Sequence, residues 1–286
     1  MSTAARFARA LGAKRQGHDW RCPCPLGCNY TLSLADGADG EPLLYCFGGC
    51  TYEDLLAELI ERTSLDDDAC AALQSEIRTP LVPDARRIKQ ARQIYAHTDT
   101  GPQIPAYLAS RSISIQPPAV LRRRLQCPHR LGIQPLAMVA PIVALNGEQT
   151  AIHMTYLSFD GRKIDLPKEF QRETRGVARG GSIRLAEHDP ERELIVAEGL
   201  ETALSVMELL GLPGWAAVYA ANLKDTLQLP ASVRRIIIAA DNDKSGAGQR
   251  AALGAYRRWS AEGRTVQIIM PKHPGEDFND VLRGQS

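Results

Sequence analysis

The chain has 286 residues, 44% hydrophobic and 23% charged, with a formal net charge of +1. That balance belongs to an ordinary globular protein with room for two modest domains, and no stretch approaches the roughly 20 apolar residues of a membrane span. Five of the seven cysteines crowd into 22–50, which argues against a secreted disulfide framework and for metal ligation in a cytoplasmic chain. The N-terminus also lacks the apolar core of a signal peptide.

In chain order, residues 3–12 fit a short helix closed by Gly12. Two cysteine pairs follow, Cys24-x3-Cys28 and Cys46-x3-Cys50, mirrored across a hairpin. Its strands are 31–34 and 43–45, and Asp36-Gly37 and Asp39-Gly40 supply turn chemistry. Two cysteine pairs brought together by a hairpin make a closed tetrahedral site, so one structural Zn2+ is expected. The metal would hold together a segment with almost no core of its own. Five cysteines compete for four places: symmetry favours Cys24, Cys28, Cys46 and Cys50, with Cys22 as the alternative and His18 as a weaker one. Apolar residues at 52, 55, 56, 59 and 60 then mark an amphipathic helix capped by Thr51, with Glu53 and Asp54 in its first turn. These elements make a module over 1–62.

Residues 63–95 read as a linker, with the acidic run Asp66-Asp67-Asp68 and the breaker T-P-L-V-P, followed by a helix from about Asp84. Cys70 within it reads as a small apolar filler. Over 96–190 a short helical piece precedes strands at 136–145 and 150–159, which flank the hairpin turn Asn146-Gly147. A glycine-rich basic segment and a short strand at 182–185 close this mixed α+β connecting region. Between Leu121 and Arg184 there are eleven Lys or Arg against five acids. A basic middle is compatible with a polyanionic substrate, and equally with a solvated basic face. Lys168 and Arg184 are its candidate phosphate contacts.

From 191 to 286 the pattern is α/β. Strands at 193–198, 215–220, 235–240 and 265–270 alternate with helices at 201–211 and 249–263, and 221–225 reads as a turn. This predicts a parallel sheet flanked by helices. The run Ile236-Ile237-Ile238-Ala239-Ala240 is too continuous for a half-exposed strand and suits one buried on both faces. It ends in Asp241 and Asp243, followed by Gly246 and Gly248. Two such aspartates also occur in an acidic turn that caps a helix. One turn does not explain Glu198 at the end of the first strand, or Asp277 and Asp280 after the last. Carboxylates without nearby Cys or His suit Mg2+ or Mn2+, and no G-x4-G-K-[S/T] loop is present.

E-G-L-E-T-A from Glu198 and D-N-D-K-S-G-A-G from Asp241 resemble the Toprim domain of primases and topoisomerases. With the cysteine-rich module upstream and K-H-P-G-E-D-F-N-D-V-L at the end, the chain resembles the primase-like proteins of phages, plasmids and integrated elements. Both cysteine pairs here have x3 spacing, where bacterial primases open the zinc site with Cys-x2-His. The resemblance implies synthesis of short RNA primers from nucleoside triphosphates on single-stranded DNA. Asp241 and Asp243 would bind catalytic Mg2+ or Mn2+, with Glu198 in acid–base work or metal support and Asp277 beside them. Lys224, Lys244 and Lys272 would lie in loops near the phosphates, the zinc module would contact template, and a replicative helicase would be a separate chain. The same resemblance leaves open a Toprim nuclease, or a non-catalytic zinc and Toprim DNA-binding recombination mediator.

Overall fold

The computed structural model describes residues 2–17, 19–28, 31–37, 42–46, 50, 52–63, 84–243 and 246–284. The linker 64–83 with Cys70, and also His18, Thr51 and Lys244, lie outside the described residues. The chain divides into two compact units, Met1–Pro83 and Asp84–Ser286.

The first unit holds helix α1 (Thr3–Ala10), strands β1 (Lys14–Gln16), β2 (Asp19–Pro23), β3 (Thr31–Asp36) and β4 (Pro42–Cys46), and helix α2 (Tyr52–Thr63). The strands form one antiparallel sheet in the order β1-β2-β3-β4. Phe7, Leu32, Leu34, Leu55, Leu56 and Leu59 pack into a small core together with Cys22, Cys24 and Cys46. The sequence reading missed β1 and β2: β1 is polar and exposed, and β2, half-buried, mixes Trp20 and Cys22 with Asp19, Arg21 and Pro23 and so shows no clean alternation.

The second unit begins with helices α3 (Asp84–Ala96) and α4 (Gln103–Ser110). Strands β5 (Arg122–Arg124), β6 (Leu136–Val143), β7 (Gln149–Leu157) and β8 (Arg172–Gly176) follow as an antiparallel sheet in chain order. Alternation along β7 sorts its side chains between two layers. Ile152, Met154 and Tyr156 meet Ala91 and Ile94 of α3. Ala151 and Leu157 join the core on the opposite face. Helix α3, grouped with the linker in the sequence reading, therefore packs on β7 and β8.

The remaining elements are β9 (Ile183–Arg184), β10 (Leu194–Ala197), α5 (Leu200–Leu210), β11 (Gly214–Ala216), β12 (Arg235–Ala239), α6 (Ala247–Ala261), β13 (Thr265–Ile269) and α7 (Phe278–Gly284). Their sheet has the order β13-β12-β10-β11-β9, parallel except for β9 at the edge. Ile195, Ala197, Ile237 and Ala239 face α5 and the antiparallel sheet. Leu194, Val196, Ile236 and Ile238 face α6 with its buried Trp259. One continuous core, to which Leu136, Tyr107 and Leu204 all belong, joins residues on both sides of 190/191.

Residues Asn222–Thr226 form a π-helical turn where a plain turn is predicted. Asn222 is fully buried and causes it: its amide donates to Gly181 O and Ala217 O, and its Oδ1 accepts from Gly180 N and Thr226 Oγ1.

Candidate functional site

Glu198 and Asp241 stand at the carboxyl ends of β10 and β12, neighbours whose register sets Ala197 beside Ala239. From β10 the chain runs through α5 to β11 on one side, then returns to β12 on the other. Helices α5 and α6 pack on opposite faces of the sheet. The two carboxylates thus flank the point where the winding reverses, and open α/β sheets form their ligand crevice there.

Each acid has its own support. Asp241 Oδ1 accepts from the Thr202 hydroxyl at 3.0 Å. The Asp243 carboxylate accepts from Ala247 N at 3.2 Å and Gly248 N at 2.7 Å, which caps α6. The glycines that follow are dictated by this geometry. Gly246 takes a left-handed φ of +71°, and a β-carbon on Gly248 would lie 2.8 Å from Asp241 O and 3.0 Å from Asp243 Oδ2. Asn242, only 9% exposed, ties the strand end to the loop before α7: its N–H donates to Glu276 O and its amide to Pro271 O. Asp277 and Asp280 cap α7 reciprocally, Asp280 N to Asp277 Oδ1 at 2.9 Å and Asp277 N to Asp280 Oδ2 at 3.2 Å. That pairing accounts for Asp280 as a helix start.

The carboxylates feel one another. Burial, then the charges of Asp241 and Asp243, push Glu198 up to about 7, against the pull of an Ala220 N–H bond and Arg172. Burial likewise pushes Asp241 up to about 6; the Thr202 hydroxyl opposes this, while Asp277, Asp243 and Glu201 add to it. An all-oxygen donor set with mutually repelling charge fits a hard divalent cation, with Glu198, Asp241, Asp243 and Asp277 as the residues that could hold it.

The sequence reading missed a second cluster beside this one. Glu201, in the first turn of α5, is 6% exposed. Its Oε1 accepts from Tyr107 Oη at 2.5 Å, Lys163 Nζ at 3.1 Å and Arg172 at 3.0 Å. Burial alone would raise its pKa, but Arg172, Lys163 and the Tyr107 hydroxyl outweigh it and hold the carboxyl well below its ordinary range. His153 stands near, brought down to about 4 by burial and by the neighbouring cations, so it stays neutral at working pH. A charge in the otherwise apolar start of α5 was the available signal for Glu201. Nothing in the sequence separates Lys163 and Arg172 from the other basic residues of the middle region.

Of the cations singled out by sequence, Lys168 is exposed in a short 3-10 turn, Lys168–Phe170. Arg184 donates to Ala144 O at 2.8 Å and lies 4.6 Å from the centroid of the Trp215 ring. Lys224 is exposed in the π-helical turn, 3.6 Å from Asp225. Lys272 is exposed in the loop before α7. The cation whose charge registers on Glu198 is Arg172.

In the first unit, Cys24, Cys28, Cys46 and Cys50 bring their sulfurs within 4.8 Å of one another; among the described residues this is the one such group of three or more metal-type ligands. Cys24 and Cys50 are 3.8 Å apart, and Cys28 and Cys46 3.3 Å. Thiolates about 2.3 Å from a tetrahedral zinc stand roughly 3.8 Å apart, so the four fit zinc. Cys22 is buried in the adjoining core and stays outside the group. Burial, and then the neighbouring sulfurs, push the Cys24 thiol up to about 12, which a bound dication would reverse.

Residues 193–286 match the Toprim domain family, and residues 85–185 match a domain of unknown function (DUF7146). Among solved structures, the chain is similar to the primase fragment of the bacteriophage T7 primase-helicase protein, at 20% identity and a TM-score of 0.37, over 54% of this chain and 61% of that one. It is similar to a DNA primase domain from Pseudomonas aeruginosa at 18% identity and a TM-score of 0.38, over 52% of this chain and 47% of that one. It is also similar to the Aquifex aeolicus primase, zinc-binding and RNA polymerase domains, at 13% identity and a TM-score of 0.46, over 99% of this chain and 80% of that one. The chain thus spans less than two thirds of the first two structures.

Proposed function

We propose, from the Toprim domain at the C-terminus of this chain, that the protein is a primase-like nucleotidyltransferase making short RNA primers on single-stranded DNA for a mobile element. The observation that carries the reading is the pairing of Glu198 and Asp241 at the winding reversal, with Asp243 and Asp277 close enough to raise their proton affinity. In this reading Glu198, Asp241, Asp243 and Asp277 hold Mg2+ or Mn2+. A divalent cation at such a site supplies charge neutralisation for phosphate oxygens and orientation of the attacking group. Thr202, the α6 start and Asn242 fix the carboxylates before substrate arrives, so little reorganisation is left for the reaction. Lys163 and Arg172 meet the triphosphate, and Lys168, Lys224, Lys244 and Lys272 remain candidates for the nucleic-acid backbone. The four-cysteine module, closed by one Zn2+, contacts the template, and a separate helicase opens the duplex. No described helix is long and apolar enough to cross a membrane, and the proposed setting is the cytoplasm.

The test is RNA synthesis on single-stranded DNA templates with nucleoside triphosphates and Mg2+ or Mn2+. A product made by the native chain and lost in Asp241→Asn supports the reading. Shortening of labelled DNA without nucleoside triphosphates would establish a nuclease instead. Metal-independent DNA binding with no turnover would leave a recombination mediator.

A further inference from the structure

We propose that Glu201 is a positioning residue, whose buried carboxylate fixes Lys163 and Arg172 beside Glu198 and Asp241 as the pair of cations that meets an incoming polyphosphate. The inference rests on the nucleotidyl-transfer reading above and extends it to a residue with no contact to substrate.

The geometry is asymmetric. Glu201 is almost fully enclosed, while the Lys163 side chain is 22% exposed and that of Arg172 41%. The carboxylate spends one oxygen on three donors from three places: α4 through Tyr107, the segment after β7 through Lys163, and β8 through Arg172. An ammonium has three donors and a guanidinium five, so most donors of both cations remain available on the exposed side. The cluster therefore keeps a net positive charge that faces outward, with its single anion hidden behind.

Position in the fold gives this a purpose. Glu201 lies three residues after Glu198, in the first turn of the helix that starts at the site. Its charge reaches Asp241, and that of Arg172 reaches Glu198. Lys and Arg are long and rotamer-rich, and holding them in place before binding removes an entropy cost from binding itself. An exposed ion pair would do this poorly, because water and salt would compete for the carboxylate. Tyr107, fully buried, helps to keep Glu201 in place by a hydrogen bond to the same oxygen. Neutral His153 adds no charge to the cluster.

The experiment measures ATP binding to the full chain in the presence of Mn2+, together with thermal unfolding. Glu201→Gln retains shape and the Tyr107 contact. It should weaken ATP binding roughly tenfold, leaving Mn2+ binding intact. In a Lys163→Ala, Arg172→Ala background the same substitution should have no further effect, which a merely structural role does not predict. Unchanged or tighter binding in Glu201→Gln would overturn the proposal, since the carboxylate would then only shield the cations. An equal loss in the double-alanine background would overturn it too. Should Glu201→Gln fail to fold, Tyr107→Phe keeps both ion pairs and should weaken binding by about threefold; unchanged affinity there counts against the proposal. Absence of ATP binding by the native chain would bring down the nucleotidyl-transfer reading itself. Native binding that Glu201→Gln leaves intact would bring down this inference alone.

Discussion

Two clusters of ligand-type side chains lie among the described residues, and they are built on opposite plans. In the first unit four sulfurs converge within 4.8 Å at the edge of a small core of Phe7, Leu32, Leu34 and three leucines of α2. At the carboxyl end of the parallel sheet the carboxylates stay farther apart, each committed to a scaffold bond: Asp241 to Thr202, Asp243 to the start of α6, Asp277 to the start of α7. The sulfur cluster is closed, with a small core around it, so a metal there contributes to folding. The carboxylate cluster sits on a sheet already buried on both faces, so the fold holds the site open at its own expense. A metal would help to hold the first together; the second is held ready for one.

The largest effect should come from the sulfur side. Cys46→Ser, or removal of Zn2+ with a chelator, should unfold residues 2–63, because structural zinc contributes on the order of 10 kcal/mol to such small modules. Limited proteolysis should then cleave that unit while 84–284 stays protected. A first unit that resists protease without metal would break the comparison. Next comes Asp241→Asn, with the opposite signature. Primer synthesis should fall by about a hundredfold or more, yet the unfolding temperature should hold or rise. A neutral amide relieves the repulsion from Asp243 and Asp277. Loss of activity together with loss of fold would mean that the carboxylates, like the cysteines, are structural.

The pH dependence sharpens the same contrast. Glu198 and Asp241 have folded-state pKa values raised to about 7 and about 6. Between the ordinary carboxylate range and these values the native chain binds more protons than the unfolded one, so metal-free stability falls as pH rises through that window. Glu201 acts with the other sign: its lowered pKa contributes stability that is full above the ordinary carboxylate range and is lost progressively as pH falls through that range into strong acid. Glu198→Gln should flatten the decline and, above pH 7, stabilise the metal-free protein by up to about 3 kcal/mol. Stabilisation by Mn2+ should grow over the same window, as the protons leave. Thermal unfolding from pH 5 to 8, with and without Mn2+, reads both. A flat native profile would show that the acids do not interact as described.

Much of this arrangement is legible in the sequence, for physical reasons that differ by element. The run 236–240 declares a doubly buried strand because parallel sheets leave no polar face. Its terminal aspartates follow directly, as does Glu198 at the end of the neighbouring strand. The π-helical turn is not legible, because it depends on four hydrogen bonds at the Asn222 side chain, two donated and two accepted, of which those with Gly180 and Gly181 span 42 and 41 positions. Helix α7 had a local signal, the D-x-x-D that becomes the Asp277–Asp280 cap, but it sits in a proline- and glycine-rich stretch that reads as loop. Lys163 and Arg172 carry no local signal. Only the packing of the antiparallel sheet against α5 picks them out, while Lys168 stays exposed and Arg184 turns to a carbonyl and a ring.

The smallest effect tests the scaffold itself. Thr202 and Asp241 come from neighbouring elements, α5 and the end of β12, and share one hydrogen bond of 3.0 Å. Thr202→Val keeps the volume and removes the donor, which should cost about 1 kcal/mol or less at pH 8. The hydroxyl favours the ionised carboxylate, so without it Asp241 should hold its proton to higher pH. The pH midpoint for Mn2+ stabilisation should therefore move upward, by a few tenths of a unit to about one unit. Activity at pH 8 should fall only slightly, because there most of the carboxylate is ionised in either protein. An unshifted midpoint would mean that Asp241 is not tuned from α5, and that the carboxylate site, like the sulfur one, is shaped by its metal alone.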